Sequence, residues 1–220
     1  SFMDNHKNGS MSDYPVYVQL HFYAVHSPIQ GRPDLVAKHL ARDLPANSTH
    51  KKNGGRYAAL IEGMDQTLGR VVAYLDDPDG DGDNSDSIRE NTLVILTSDN
   101  GGWESITENT PLRGYKSSHF EGGIRVPFII AGPNIPSAVE SDVVVNGLDL
   151  HPTILGWTNT PPNAGQILDG SDLGDMLLVD PQDDKRIISP QTNKPRESMF
   201  WHFPNGYCQQ SAHLKNGYKL

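Results

Sequence analysis

Four residues in this sequence could do chemistry together. Asp99 and Asn100 follow the apolar run Thr92 to Thr97 in TLVILTSDNGG. One brings a carboxylate and the other an amide carbonyl, hard oxygen ligands suited to Ca²⁺ or Mg²⁺ rather than to soft metals. Lys116 lies in the Gly-rich stretch PLRGYKSSHFEGGIRVP, residues 111–127. Beside Asp99 and Asn100 it could neutralise a bound oxyanion; alone it is a solvated loop charge. His26 ends another apolar run, and an imidazole there can donate to an anion or act as a general acid. Each feature has an ordinary alternative, because Asp-Asn-Gly is common strand-to-turn chemistry and a loop histidine can simply face water.

The elements that must position these residues are α/β in character. Residues 15–25, PVYVQLHFYAV, read as a buried strand that stops at His26-Ser27-Pro28. Pro33 suits the first turn of a helix in which Leu35, Val36, His39 and Leu40 share a face. The stripe Tyr57, Leu60, Ile61, Met64, Leu68, Val71, Val72 and Leu75 predicts a long amphipathic helix. TLVILT and VPFIIAG are continuous apolar runs, as expected of strands covered on both faces in a parallel sheet. Strands near 16–22, 93–97 and 126–130 are therefore expected to be parallel neighbours, with His26, Asp99 and Lys116 meeting at one edge, where ligands of open parallel sheets bind. A short helix is expected from Asp149 to Trp157. Residues 161–195, rich in Pro, Gly and Asp, read as a long connection, and the last 25 residues as a small antiparallel sheet.

Composition removes several functions. The net charge of −9 over 220 residues argues against a nucleic-acid-binding surface, and any positive site must be local. A single cysteine, Cys208, allows neither an intrachain disulfide nor a thiolate zinc site. No apolar run approaches the roughly 20 residues needed to span a bilayer. The acidic stretch Asp77 to Asp86 resembles the first half of an EF-hand calcium loop. Its twelfth position is Ile88 rather than a bidentate Glu, so a solvated acidic turn is the simpler reading.

SDNGG followed by PLRGYKSSHFEGGIRVP strongly resembles the signatures of the type I sulfatases of the alkaline-phosphatase-like superfamily. FYAVHSPIQ, YAALIEGMDQTLGRVVAYL, VNGLDLHPTIL, ILDGSDL, RESMFWHFP and NGYKL extend the similarity from Tyr14 to Leu220. The resemblance implies a partial three-layer α/β sandwich with a mostly parallel sheet over residues 1–160, then a linker and the start of a small antiparallel subdomain over 161–220. It implies that Asp99 and Asn100 are metal ligands for Ca²⁺ or Mg²⁺, and that Lys116 and His26 contact the sulfate, His26 protonating the leaving alcohol. The substrate would be a sulfated small molecule or sulfated glycan, and the location periplasmic or secreted. The family's formylglycine nucleophile comes from a C/S-x-P-x-R motif, and none occurs here: Cys208 is followed by Gln209-Gln210, and Ser27-Pro28-Ile29 has the wrong spacing. The family's early Asp-Asp metal pair is also missing. The chain is thus expected to be a C-terminal half, inactive alone and prone to self-association through the face its missing half would cover. A phosphoester or phosphonate hydrolase of the same superfamily and a non-catalytic calcium-binding module are the alternatives.

Overall fold

The computed structural model describes residues 14–44, 53–204, 209–215 and 218–219. Helix α1 (Pro33–Leu40) has proline in its first turn, where the missing N–H costs nothing. Helix α2 (Arg56–Asp76) carries the predicted stripe, and its Ala58, Ala59 and Leu75 are buried. The two helices pack together, with Leu35 and His39 of α1 buried and the His39 imidazole 2.9 Å from the Glu62 carboxylate. Gly31 closes the approach, since a Cβ there would lie 2.5 Å from that of Ala59.

Strand β1 (Val94–Thr97) pairs with β2 (Phe128–Ala131) in a two-stranded sheet. The pairing is antiparallel, with Thr97 opposite Phe128 and Val94 opposite Ala131. This corrects the parallel arrangement read from the continuous apolar runs. A parallel pair needs a crossover that carries the chain to the far end of the sheet. Here residues 98–127, including the single-turn helix α3 (Glu121–Ile124), fold as one cluster at the C-terminal end of β1, so the chain re-enters where it left. The expected first strand is also corrected. Residues 16–22 form no strand, and Tyr17, Val18 and Leu20 lie exposed.

The sheet is covered on one face. Phe128 and Ile130 point at a buried cluster of Leu173, Met176, Leu177 and Ile187, while Ile129, on the other face, is 58% exposed. Three of those cluster residues belong to α5 (Gly174–Val179) or the residue before it, within the stretch read from composition as a connection. That stretch is a packing element, because its apolar residues are spaced for one helical face despite the surrounding Pro and Asp.

Helix α4 (Leu150–Trp157) follows a 3₁₀ turn at Gly147–Asp149 that is closed by a capping box between Asn146 and Asp149. Asp149 is fully buried and accepts from Asn146 N (3.0 Å), Ser171 N (2.9 Å) and Arg196 Nη1 (2.7 Å). Arg196 lies between the short hairpin β3 (Ile188–Ser189) and β4 (Lys194–Pro195) and the terminal sheet, so this ion pair ties the end of the chain to α4. The terminal sheet is antiparallel as predicted, in the order β5 (Ser198–Pro204), β6 (Gln209–Lys215) and β7 (Tyr218–Lys219). Met199 and Ala212 are buried on its inner face. Cys208 lies outside the described residues.

Candidate functional site

The cluster between β1 and β2 is built on backbone contacts that only glycine allows. Gly101 N donates to Gly123 O (2.9 Å), and Gly122 N donates to Arg113 O (2.8 Å). A Cβ on Gly101 would meet Gly122 O, and one on Gly122 would meet Gly114 O, both closer than any real Cβ contact. Gly114 also needs its positive φ of 83°. The glycines of the two motifs are therefore mutual packing partners. Gly122→Ala should lower stability by about 1–3 kcal/mol, the usual cost of overpacking. A urea midpoint unchanged from the parent would show that the two motifs do not pack this way.

Within this cluster Lys116 N donates to Gly102 O (2.9 Å). That bond lays the lysine loop against the turn that carries Asp99 and Asn100. Asp99 is exposed at the C-terminal end of β1. Asn100 is half-buried, and its Nδ2 donates to Gly101 O (3.0 Å), which leaves the amide oxygen as an acceptor. An exposed carboxylate and an amide oxygen on adjacent residues fit a hard divalent cation, as part of its ligand set. Lys116 is half-buried and forms no ion pair among the described residues.

Asn109 holds the cluster together, and nothing in the sequence marks it except its place between the motifs. Its Nδ2 lies 2.9 Å from Gly122 O, 3.1 Å from Gly114 O and 3.4 Å from Gly102 O. One amide group thus bridges carbonyls from all three loop segments. Helix α2 and the turn before it anchor the outer rim: Asn53 Nδ2 donates to Ile106 O (3.1 Å), and Tyr57 shares a hydrogen bond with the Thr107 side chain. Burial pushes the Tyr57 hydroxyl above its ordinary value, and the bond to Thr107 offsets part of the rise. His119 is a second residue missed from sequence. It is buried three positions after Lys116, with neither ring nitrogen hydrogen-bonded among the described residues.

His26 makes no described hydrogen bond or ring contact with the other three. It is exposed in a turn, where its backbone N–H donates to Tyr23 O (2.9 Å) and its ring meets Tyr23 edge-on at 5.6 Å. Its Nδ1 faces Ser27 O at 2.9 Å. A carbonyl can only accept, so Nδ1 carries the proton and Nε2 is the nitrogen left for a ligand. None of its described contacts reaches Asp99 or Lys116.

The acidic loop lies at the other end of β1. Asp77, Asp79 and Asp86 each offer an oxygen within 4.8 Å of the others. The carboxylates largely cap their own turn: Asp77 accepts from Gly80 N and Gly82 N, Asp81 from Asp83 N, and Asp83 from Ser85 N. The Asp79 carboxyl sits above its ordinary value. The hydrogen bond from Asp81 N–H pulls it down, but desolvation and the charges of Asp81, Asp86 and Asp77 outweigh that pull.

Comparison with known proteins bears on the same residues. The sulfatase family model matches residues 4–160, which include the whole cluster. A sulfatase of Formosa agariphila is 38% identical over 205 residues, covering 91% of this chain and 35% of that protein. An N-acetylgalactosamine-6-sulfatase of Canis lupus familiaris is 31% identical, covering 70% of this chain and 30% of its own length. Human steryl-sulfatase is 27% identical, with coverage of 75% and 28%. The chain thus spans about a third of the length of the curated relatives it matches. The crystal structure of Ps i-CgsB, also solved with k-i-k-neocarrahexaose, superposes with a TM-score of 0.73 at 24% identity, covering 99% of this chain and 43% of that one. That likeness establishes the α/β fold. Among the described residues no helix is long and apolar enough to cross a membrane.

Proposed function

This chain belongs to the sulfatase family, and from that membership we propose that it forms the metal- and sulfate-contacting part of a sulfate-ester hydrolase. The observation that carries the proposal is the bond from Lys116 N to Gly102 O, which joins the lysine loop to the Asp99-Asn100 turn. Asp99 and Asn100 would hold Ca²⁺ or Mg²⁺ by their side-chain oxygens. When bound, the cation would supply positive charge for the sulfate oxygens. Lys116 adds a second, local positive charge in a protein whose net charge is −9. Its ammonium would lie against the sulfate and stabilise charge growing on the bridging oxygen as the S–O bond breaks. His26, with Nδ1–H committed to Ser27 O, would present Nε2 and deliver a proton to the departing alcohol once doubly protonated.

The same reading assigns the nucleophile, a formylglycine, to sequence outside this chain, since no C/S-x-P-x-R motif occurs in it. It takes residues 1–160 as part of the catalytic domain and 161–220 as the segment that packs against its sheet and leads into the start of the small subdomain. The substrate is a sulfated small molecule or sulfated glycan, handled in the periplasm or outside the cell. In this reading the exposed apolar residues Tyr17, Leu20, Tyr23 and Ile129 are ones that the rest of the protein covers, and through them the isolated chain would self-associate.

The 220-residue chain alone should therefore show no hydrolysis of an aryl sulfate in excess Ca²⁺, and light scattering should report species larger than a monomer. Turnover by the isolated chain would overturn the assignment of the nucleophile to another segment.

A further inference from the structure

Glu121 opens the single turn α3, directly before the buried pair Gly122-Gly123. The glycines have no side chains, so the turn meets the rest of the cluster through its backbone: Gly122 N donates to Arg113 O, and Gly123 O accepts from Gly101 N. Glu121 gives the turn a side chain that can be held from outside. Its partner is Lys219 of β7, in an ion pair that joins residues 98 positions apart. Lys219 is the better buried of the two, with its side chain 23% exposed against 47% for Glu121. Its own backbone is fixed by pairing with Leu214 of β6. The terminal sheet is therefore tied to the Gly-rich turn. From Glu121 two short routes lead to Lys116. Gly122 N, one residue on, bonds Arg113 O, three residues before Lys116. Gly122 O accepts from Asn109 Nδ2, which also lies against Gly102 O, the acceptor for Lys116 N.

We propose that Lys219 is a positioning residue for Lys116, acting through Glu121 and the Gly122 turn. Glycine has more backbone conformations open to it than any other residue, so a turn built on Gly122-Gly123 needs restraint from its neighbours. Lys219 supplies that restraint from a separate element, the last strand of the terminal sheet. A part-exposed ion pair adds little to global stability. What this one fixes is the place of the turn, and through it the place of the lysine loop. Placement matters most where a charge must meet a reacting group, because a displacement of about 1 Å can cost up to about 10²-fold in rate. The small C-terminal sheet thus forms part of the support of the catalytic cluster. The inference rests on the sulfatase reading for the reaction that Lys116 serves; the tie between Lys219 and Glu121 does not depend on it.

The test uses the complete protein, an aryl sulfate assay and amide hydrogen exchange. Lys219→Ala should lower kcat roughly tenfold with KM and the urea midpoint close to those of the parent. Glu121→Ala should cause the same loss, and the double variant should lose no more than either single one, because residues acting as a unit are not additive. Lys219→Arg should recover most of the rate, since a guanidinium also pairs with a carboxylate. In Lys219→Ala the N–H groups of Gly122 and Lys116 should exchange faster, while those of α2 keep their parent rates. Parent turnover in Lys219→Ala, unchanged exchange at Gly122 and Lys116, or losses that multiply in the double variant would each overturn the inference. Faster exchange in a complete protein that cleaves no sulfate ester would keep the tether of the turn and refute the catalytic reading instead.

Discussion

Replacing Lys116 by alanine in the complete protein should lower turnover of a sulfate ester by about 10²–10³-fold, the loss seen when one preorganised group is removed from a developing oxyanion. The stability should hardly change. Lys116 is fixed in place through its backbone N–H to Gly102 O, which alanine keeps, and its ammonium has no protein ion pair among the described residues to lose. The effect belongs to the reacting state, so kcat and kcat/KM should fall together while KM moves little. Lys116→Arg should recover only part of the rate, because a planar guanidinium does not occupy the position of a compact ammonium. Near-normal turnover in Lys116→Ala would make the lysine a surface charge and leave the bond to Gly102 as a purely structural contact.

Asp149→Ala should cost about 3–5 kcal/mol of stability, the range for breaking a buried ion pair from one side. Asp149 is completely buried and serves three donors at once. Truncation strands the Arg196 guanidinium, itself only 13% exposed, and removes the acceptor for Asn146 N and Ser171 N. It also opens the capping box that starts α4. Asp149→Asn keeps the oxygen that serves both Ser171 N and Arg196 Nη1 and should lose less. Urea unfolding followed by circular dichroism checks both variants. A midpoint for Asp149→Ala within experimental error of the parent would show that Arg196 is not held by this carboxylate.

The elements legible in the sequence were those with a strong local period. The stripe from Tyr57 to Leu75 became α2 within a residue at each end, and the alternation near the C-terminus became β5 to β7. Strand direction was not legible. A run such as TLVILT is apolar in either orientation, and only the folding of residues 98–127 back to the same end makes β1 and β2 antiparallel. The core contribution of Leu173, Met176 and Leu177 was hidden by the Pro, Gly and Asp around it. At the candidate site Asp99, Asn100 and Lys116 were singled out by residue type, because metal and anion binding need particular atoms, but the backbone bond that joins their two loops was not legible. Asn109 gave no such signal: an amide that hydrogen-bonds three carbonyls looks in sequence like any loop asparagine.

The glycine packing at the foot of β1 also governs how this protein ages. Asparagine followed by glycine is the dipeptide most exposed to spontaneous deamidation, in which the glycine nitrogen attacks the side-chain carbonyl and closes a succinimide ring. Asn100-Gly101 is such a pair, and conversion would place a second negative charge, or a displaced backbone, beside Asp99. The attacking nitrogen is not free here, since Gly101 N–H is committed to Gly123 O at 2.9 Å. The asparagine side chain is in turn tethered to Gly101 O through Nδ2. Asn100 should therefore deamidate more slowly in the folded chain than in an unfolded one, where neither bond holds the glycine nitrogen or the side chain in place.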